Sequence, residues 1–508
     1  MDQAKRALNE AQKAVEDLAK RRRNLLGEIN RIHDPIMRRL PPEVVSCIFE
    51  HYMRQVAIDN PHYNNAPTWA QIKALLILGA VSNYWREVVW TTPQFWTSIL
   101  FRLNSPNLRY WHVDFVAGWL DRSGHLPLCI RVYCDDELPE TTTDAVDQII
   151  TAINRHSGRW QILDLRLPSN TISLFCGDLQ SRPILRSLRL GPIEDYSLSD
   201  DDNTFDMVNV VPSPSEVFIC NLRSRLVSIE WSSITWVEME HLQIDECFEL
   251  LKQSPLIRHC GFSEMKPQIE FAFSMPAEVI THGRVQEFAI DDPTSSHLFG
   301  VFFDQVAFPS LKKLVIGANE AGLPAQTLSS HLRRSSSHLE ELIIVSTCCP
   351  TEDLIYLLRE IPSLLRLQTA YSRFLGPEDY NPDEFFQLLS KTALRQDVDA
   401  DDHEERDIFL PHLRSLHYDT TWPFSWELLS LVFGPTSEIR NPLRRPLDTF
   451  HLNIEMAYET PITLLDRESV LRLLFFVKAG LDFKLQPHWR LWPSNDIFEH
   501  SMHLHGLT

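Results

Sequence analysis

The amino-acid sequence predicts an α/β chain: one long N-terminal helix, a small all-helical bundle, then an irregular solenoid of parallel strands with helices outside. Three observations predict it. Residues 1–33 contain no Pro and no Gly before Gly27, with apolar residues at alternating steps of three and four. Residues 35–103 hold two apolar helical stretches punctuated by Pro41-Pro42 and Thr92-Pro93. From residue 104 to 508, short Leu-rich runs of strand character recur, separated by stretches with helical spacing.

Bulk properties narrow the function. The chain has 508 residues, which a repeat array accommodates in one unit where about 100 to 200 residues per domain would otherwise ask for roughly three cores. With 44% hydrophobic residues and 13 Trp it has the apolar material for large cores. A net charge of -20 argues against the basic field that non-specific nucleic-acid binding needs and against attraction to anionic membranes; a basic or neutral protein surface is easier to accommodate. The charged start Met1–Arg6 lacks the apolar core of a signal peptide, and no run of about 18 apolar residues occurs, so the sequence predicts an intracellular protein of cytoplasm or nucleus. The 9 cysteines form no CxxC pair and read as reduced thiols.

Within residues 1–34, Met1, Ala4, Leu8, Ala11, Val15, Leu18, Leu25, Ile29 and Ile32 form a heptad seam interrupted only at Arg22. A helix of this length extends roughly 50 Å at about 1.5 Å per residue, which suits a two-helix coiled coil or packing against another partner. A lone helix with an Ala-rich seam is the alternative. Lys20-Arg21-Arg22-Arg23 reads as a solvated face, with a nuclear-import signal as the other reading.

His33-Asp34-Pro35 interrupts the helix and opens the unit 35–103. Pro41-Pro42 starts a second helix: Pro fits its first turn, Glu43 complements the dipole, and Val44, Ile48 and Tyr52 share one face. Residues 54–67, with Asp59, Asn60, Pro61, Asn64, Asn65 and Pro67, read as a surface loop. Thr68 is the expected cap of a third helix with Ile72, Leu75 and Leu78 inward, continued through Val81, Trp85, Val88 and Val89 to Trp90. Thr92-Pro93 ends it, and Phe95, Trp96 and Ile99 are expected to fold back as an aromatic lid.

Leu40-Pro41-Pro42-Glu43-Val44, the helix Val81-Ser82-Asn83-Tyr84-Trp85-Arg86 and the tail Thr92-Pro93-Gln94-Phe95-Trp96 occur together and in order. Over about 60 residues this stretch resembles an F-box, the module by which substrate receptors of cullin–RING ubiquitin ligases bind their Skp-type adaptor. The resemblance implies adaptor contacts at Leu40, Pro41, Val44, Ile48, Phe49, Leu78, Val81 and Trp85, some of which must instead hold the bundle together. The stretch 54–67 is an insert that many short F-boxes lack, and Ser82 stands where a cysteine is frequent.

In residues 104–508 the strand-like runs are Leu126–Tyr133, Trp160–Leu167, Leu185–Leu190, Leu226–Trp231, Ile257–Phe262, Val285–Ile290, Leu311–Ile316, Leu339–Ile344, Leu364–Thr369, Leu413–Tyr418 and Leu447–Leu452. Their common pattern is Leu-x-x-Leu-x-Leu; the steps from Leu311 to Leu339 and on to Leu364, 28 and 25 residues, match leucine-rich repeats. Helices are expected at Asp245–Gln253, after a Thr351 cap, at Pro382–Lys391 and at Asp466–Lys478 with Gly480 at its end. Such alternation gives a parallel sheet lining one side and helices the other. The asparagine usual after the strand is clear only at Asn319, and residues 190–226 and 367–413 hold long acidic inserts, so the chain resembles the degenerate-repeat F-box proteins expanded in mushroom-forming fungi.

No catalytic motif, phosphate-cradling glycine loop or supported metal set is present: the chain has 16 Gly, Asp200-Asp201-Asp202 and 397–407 read as solvated loops, and His500, His503 and His505 as a frayed end. Trp231, Trp236, Tyr371, Tyr418 and Trp422 are candidate binding anchors on the sheet or packing residues between repeats. The resemblance therefore implies a receptor that is not itself an enzyme and carries no cofactor, joining a Skp-type adaptor and cullin–RING ligase to a protein target. A leucine-rich scaffold or inhibitor outside the ubiquitin pathway is the alternative.

Overall fold

The computed structural model describes residues 2–33, 40–55, 69–103, 111–134, 143–177, 183–192, 204–207, 210–268, 273–291, 296–317, 322–345, 349–370, 381–394, 409–421, 424–455, 464–487 and 496–507. The fold is α/β, dominated by parallel strands in chain order. Two compact units divide it, Met1–Pro214 with Arg225–Glu230 and Ser215–Ser224 with Trp231–Thr508. Thr68, Asn319, Tyr371, Trp422, Cys348, the Asp200–Asp202 run, the 397–407 run and all but the start of the 54–67 insert lie outside the described residues.

In the first unit helix α1 (Asp2–His33) runs where the heptads predict it. Helices α2 (Pro42–Gln55), α3 (Trp69–Val81) and α4 (Asn83–Thr91) form the bundle. The apolar spacing suggested one helix through to Trp90, but the chain breaks at Ser82. There the backbone is extended (φ -151, ψ 166) and the Ser82 hydroxyl accepts the Trp85 N–H at 3.1 Å, so a local cap competes with helix continuation. Gly79 leaves no room for a Cβ beneath the Trp90 ring, and Arg86 Nε donates to the Gly79 carbonyl at 2.9 Å, which presses α4 back onto α3.

The lid forms as expected. Phe95 and Trp96 are buried in a 3-10 turn, Pro93–Trp96, and Trp96 Nε1 donates to the Val89 carbonyl at 2.9 Å. Trp96 meets Trp90 and Trp119 edge-on at 5.3 and 4.6 Å. Beyond the lid the chain departs from an all-helical 35–103: Ser98–Arg102 is strand β1, paired in parallel with β2 (Leu128–Tyr133). Helix α5 (Trp111–Arg122) crosses between them, α6 (Thr143–Asn154) leads to β3 (Trp160–Arg166), and the short α7 (Ser169–Ile172) precedes β4 (Ser187–Leu190). Ile99, Ile130, Leu163 and Leu188 share one register row, all buried. Trp119 Nε1 donates to the Ser98 carbonyl at 3.1 Å, so the lid and β1 are fixed together.

The expected strand Leu226–Trp231 does not form. The stretch makes one bridge, Val227 with Phe205, between two 3-10 turns, and its Ser228 and Glu230 amides are taken by Phe205 and Pro212 carbonyls. The strands in this region are β5 (Glu216–Cys220) and β6 (Trp236–Glu240), which carry no Leu-x-x-Leu pattern.

The second unit continues β5 and β6 with β7 (His259–Ser263), β9 (Glu287–Asp291), β11 (Lys313–Gly317), β12 (Glu341–Val345), β13 (Arg366–Ala370), β14 (Ser415–Thr421), β15 (Thr449–Glu455) and β16 (Asp482–Pro487), neighbours pairing in parallel. A side pair, β8 (Ile280–Thr281) with β10 (Val306–Ala307), lies apart from this order. The crossovers are α8 (Ile244–Gln253), α9 (Ser296–Gln305), α10 (Ala325–Ser335), α11 (Thr351–Arg359), α12 (Pro382–Lys391), α13 (Trp426–Leu431) and α14 (Arg467–Lys478). Helix α15 (Ile497–Leu504) is capped by Asp496; His500 and His503 lie within it and His505 stands at its C-cap, so these histidines belong to a helix and its cap and not to a frayed end. Gly480 (φ +110) ends α14 in the backbone region that favours glycine. Thr351 is the first residue of α11 and not its cap; it is buried and its Oγ1 accepts the Asn381 amide at 3.0 Å.

Register explains the repeat pattern. Val217, Val237, Cys260, Phe288, Leu314, Leu342, Leu367, Leu416, Phe450 and Phe483 stand opposite one another in turn, and all are buried. A second row, two residues on, runs from Ile219 to Leu485 through Tyr418. The first Leu of each pattern, such as Leu311 or Leu339, is buried ahead of the strand. Each such side chain removed from water contributes about 1.5 to 3 kcal/mol, so a ladder in phase stabilises every neighbouring turn. Tyr418 lies stacked on Phe385 at 4.8 Å, which makes it a packing residue and not a binding anchor.

Buried polar side chains fasten the irregular parts. Arg445, almost wholly buried, donates to the Leu389, Thr392, Phe409 and Leu410 carbonyls at 2.9 to 3.1 Å and to Thr392 Oγ1 at 2.6 Å. It thereby places a cation at the carbonyl end of α12 and ties residues 389–392 to 409–410. His331 in α10 is packed against Phe303 and Phe308, its Nδ1 3.1 Å from the Val306 carbonyl. Burial, reinforced by the nearby Arg334 charge, pushes its pKa down to about 4. The unfolded chain takes up a proton near pH 6.5 that the folded chain refuses. Stability is therefore complete above about pH 6.5 and falls as pH drops, by about 3 kcal/mol near pH 4. In His331→Phe, Arg334 Nη2 still serves the Val306 carbonyl. Urea midpoints of this variant between pH 7.5 and 4.5 are expected to decline less than those of the parent; equal declines would refute the assignment to His331.

Candidate docking face of the helical bundle

The candidate site is built on α2 because prolines can open a helix but not continue one. Pro42 occupies the first turn, and the Pro41 carbonyl accepts the Val44 and Val45 amides at 3.0 and 3.2 Å. One side of the helix, Val45 and Phe49, is buried. The other side is not: Val44, Ile48 and Tyr52 are 42, 46 and 45% exposed, with Cys47 exposed beside them. Positions 44, 48 and 52 repeat every fourth residue, so they form one stripe.

The same division splits α3. Ile72, Ala74, Leu75 and Leu78 face the core, while Ile77 and Val81 are 51 and 49% exposed and Leu76 is also exposed. Phe49 and Trp85 meet at 4.8 Å, and Trp85 is half-buried. Of the eight residues nominated from the sequence, Pro41, Val44, Ile48 and Val81 are solvent-exposed. Leu40 and Trp85 are intermediate, and Phe49 and Leu78 belong to the bundle core. Sequence reasoning left Leu76 and Ile77 out of the contact set. Once Ile72, Leu75 and Leu78 are assigned inward, helical geometry alone turns 77 and 81 away from them.

This arrangement is a surface of exposed apolar side chains. It offers aliphatic and aromatic groups with a thiol at Cys47 on α2 and α3, where Phe49 of α2 packs on Trp85 of α4 and Gly79 of α3 lies beneath Trp90 of α4. Exposed apolar stripes of this kind mark protein contacts. Among the described cysteines only Cys47 is exposed. Brief maleimide treatment of a folded Cys348→Ser chain is therefore expected to modify Cys47 first, and a partner seated on the stripe to protect it. Undiminished labelling in a saturated complex would place the partner elsewhere.

A second surface lies on the sheet of the other unit. Outward residues of β6, β7 and β9 form a clasp in which His259 stacks on Trp236 at 5.2 Å and lies between Glu238 (Nε2 to Oε1 3.4 Å) and Glu287 (Nδ1 to Oε2 3.2 Å). Burial opposes the imidazolium charge, but the two carboxylates outweigh it and raise the His259 pKa. Further along, Glu341 pairs with both Lys313 and Arg366, and His451 with Asp482. Among the described residues no group of three or more His, Cys, Asp or Glu side chains is arranged to hold a metal ion. His505 is occupied with the Leu465 carbonyl at 2.9 Å. Trp236 and Trp231 are half-buried. No described helix is long and apolar enough to cross a membrane.

Compared with known proteins, the chain matches no protein-family model and no curated protein sequence.

Proposed function

We propose that the chain is the substrate-recognition subunit of a Skp–cullin–F-box ubiquitin ligase acting in the cytoplasm or nucleus. The bundle acts as the F-box: Pro41, Val44, Ile48 and Val81, extended by Tyr52 and Ile77, dock on a Skp-type adaptor, while Phe49 and Leu78 keep the two helices together. The ladder of parallel strands acts as an irregular leucine-rich-repeat surface that presents a protein target. Catalysis resides in the partners. The chain contributes proximity, turning an encounter between target and ubiquitin-loaded enzyme into a tethered event at raised effective concentration.

The observation that carries this reading is the exposure of Val44, Ile48 and Val81 at positions where a monomeric bundle would gain by burying them. The test is Leu40→Ala with Pro41→Ala. Both sit at the entrance to α2, outside the tightly packed core, so the double variant is expected to lose adaptor binding while the rest of the chain keeps its unfolding midpoint. Unchanged affinity would favour the scaffold or inhibitor alternative.

A further inference from the structure

Helix α1 carries a second exposed apolar seam. Val15, Leu18, Leu25 and Ile29 are 65, 63, 59 and 50% exposed although they keep heptad spacing. The helix approaches the bundle at Gly27, where a Cβ would stand 3.1 Å from Asn83 Nδ2, and this contact leaves the seam open. We infer that the seam is covered by α1 of a second copy of this chain, running antiparallel.

Charge and register select that occupant. Residues 2–17 carry Asp2, Glu10, Glu16 and Asp17 against Lys5, Arg6 and Lys13, whereas residues 18–33 carry Lys20, Arg21, Arg22, Arg23 and Arg31 against Glu28. The basic charge is thus concentrated in the second half of the helix while the first half is nearly neutral, so an antiparallel pair keeps the two basic runs apart. A parallel pair sets the basic run against itself and Arg22 against Arg22 within the seam. An antiparallel pair centred between Glu16 and Asp17 sets Val15 opposite Leu18 and Arg22 opposite Ala11. Ala11 leaves space for the aliphatic stem of Arg22, whose guanidinium emerges into water. The sequence continues the match with Leu8 opposite Leu25 and Ala4 opposite Ile29. The 32 residues of α1 make a rod about 48 Å long, so the two bundles would sit toward opposite ends, each with its own docking face.

Sedimentation velocity of the full chain at micromolar concentration tests the pairing. The expected result is a two-chain species that Leu18→Glu converts to single chains with unchanged circular dichroism. For orientation, Ala11→Cys with Arg22→Cys in a Cys47→Ser background is expected to cross-link between chains under copper-phenanthroline oxidation far more than Ala11→Cys alone. Single chains in the parent, a two-chain species that survives Leu18→Glu, or equal cross-linking through Ala11→Cys alone would each overturn the inference. Adaptor capture by Leu18→Glu is expected to equal that of the parent, so the outcome is independent of the bundle's function.

Discussion

Val44→Asp with Ile48→Asp is expected to weaken binding to a Skp-type adaptor by about 100-fold or more, with thermal unfolding of the chain hardly changed. The two halves of that expectation come from the same geometry. Both side chains are close to half exposed in the free chain, so a carboxylate there remains hydrated and costs little. In a complex the same positions become the centre of an apolar contact, and each buried, unpaired carboxylate costs about 2 kcal/mol or more, at 1.4 kcal/mol per tenfold in affinity. Leu78→Ala is the contrasting change. Its side chain is in the core, so its effect is expected as about 2 to 5 kcal/mol of lost stability, with binding reduced only through the fraction unfolded. If the aspartates destabilise the fold as much as Leu78→Ala, or leave adaptor affinity unchanged, the stripe is not the docking surface.

Arg445→Ala is expected to cost about 3 to 5 kcal/mol, the largest single-residue effect on stability predicted for the second unit. The guanidinium has four carbonyl partners, at Leu389, Thr392, Phe409 and Leu410. Truncation takes away charge-assisted bonds and leaves buried acceptors that water reaches poorly. The lysine variant reaches fewer acceptors and is expected to fall between parent and alanine. Because Arg445 ties residues 389–392 to 409–410, the loss is also expected to raise the rate of proteolysis of the chain. Urea unfolding and limited proteolysis on the three forms check both effects; an alanine variant within 1 kcal/mol of the parent would refute the role.

The parts of the fold legible in the sequence are those where one side chain reports one environment. Leu314, Leu342 and Leu367 stand in phase because each parallel turn must bury the same position, and that phase is visible as a repeat. The strands at Glu216–Cys220, Trp236–Glu240 and Asp482–Pro487 escaped because their inward residues are Val, Ile, Met, Phe and Leu without the leading Leu of the pattern. Leu226–Trp231 has the opposite history: its apolar spacing suits a strand, but Phe205 and Pro212 take its amides. Arg445 could not be found from sequence, since all its acceptors but Thr392 Oγ1 are main-chain carbonyls that any residue supplies.

The site divides in the same way. Leu40-Pro41-Pro42-Glu43 marks a helix start through proline chemistry, and the stripe at 44, 48 and 52 is set by helical spacing. Which side of that helix faces water depends on where α3 packs, and the residues between the two helices carry no pattern that sets their relative rotation. The eight nominated residues therefore mixed core with surface. The break at Ser82 was hidden for a different reason: a serine cap acts through one hydrogen bond, while the apolar spacing on either side continues uninterrupted.

Titration of the purified chain with a Skp-type adaptor, followed calorimetrically, tests the central claim most directly. The account predicts one adaptor per chain, an exothermic or entropic signal with negative heat-capacity change from apolar burial, and loss of that signal in the Val44→Asp, Ile48→Asp chain. A folded parent chain that shows no binding, or binds equally well with both aspartates in place, would contradict it.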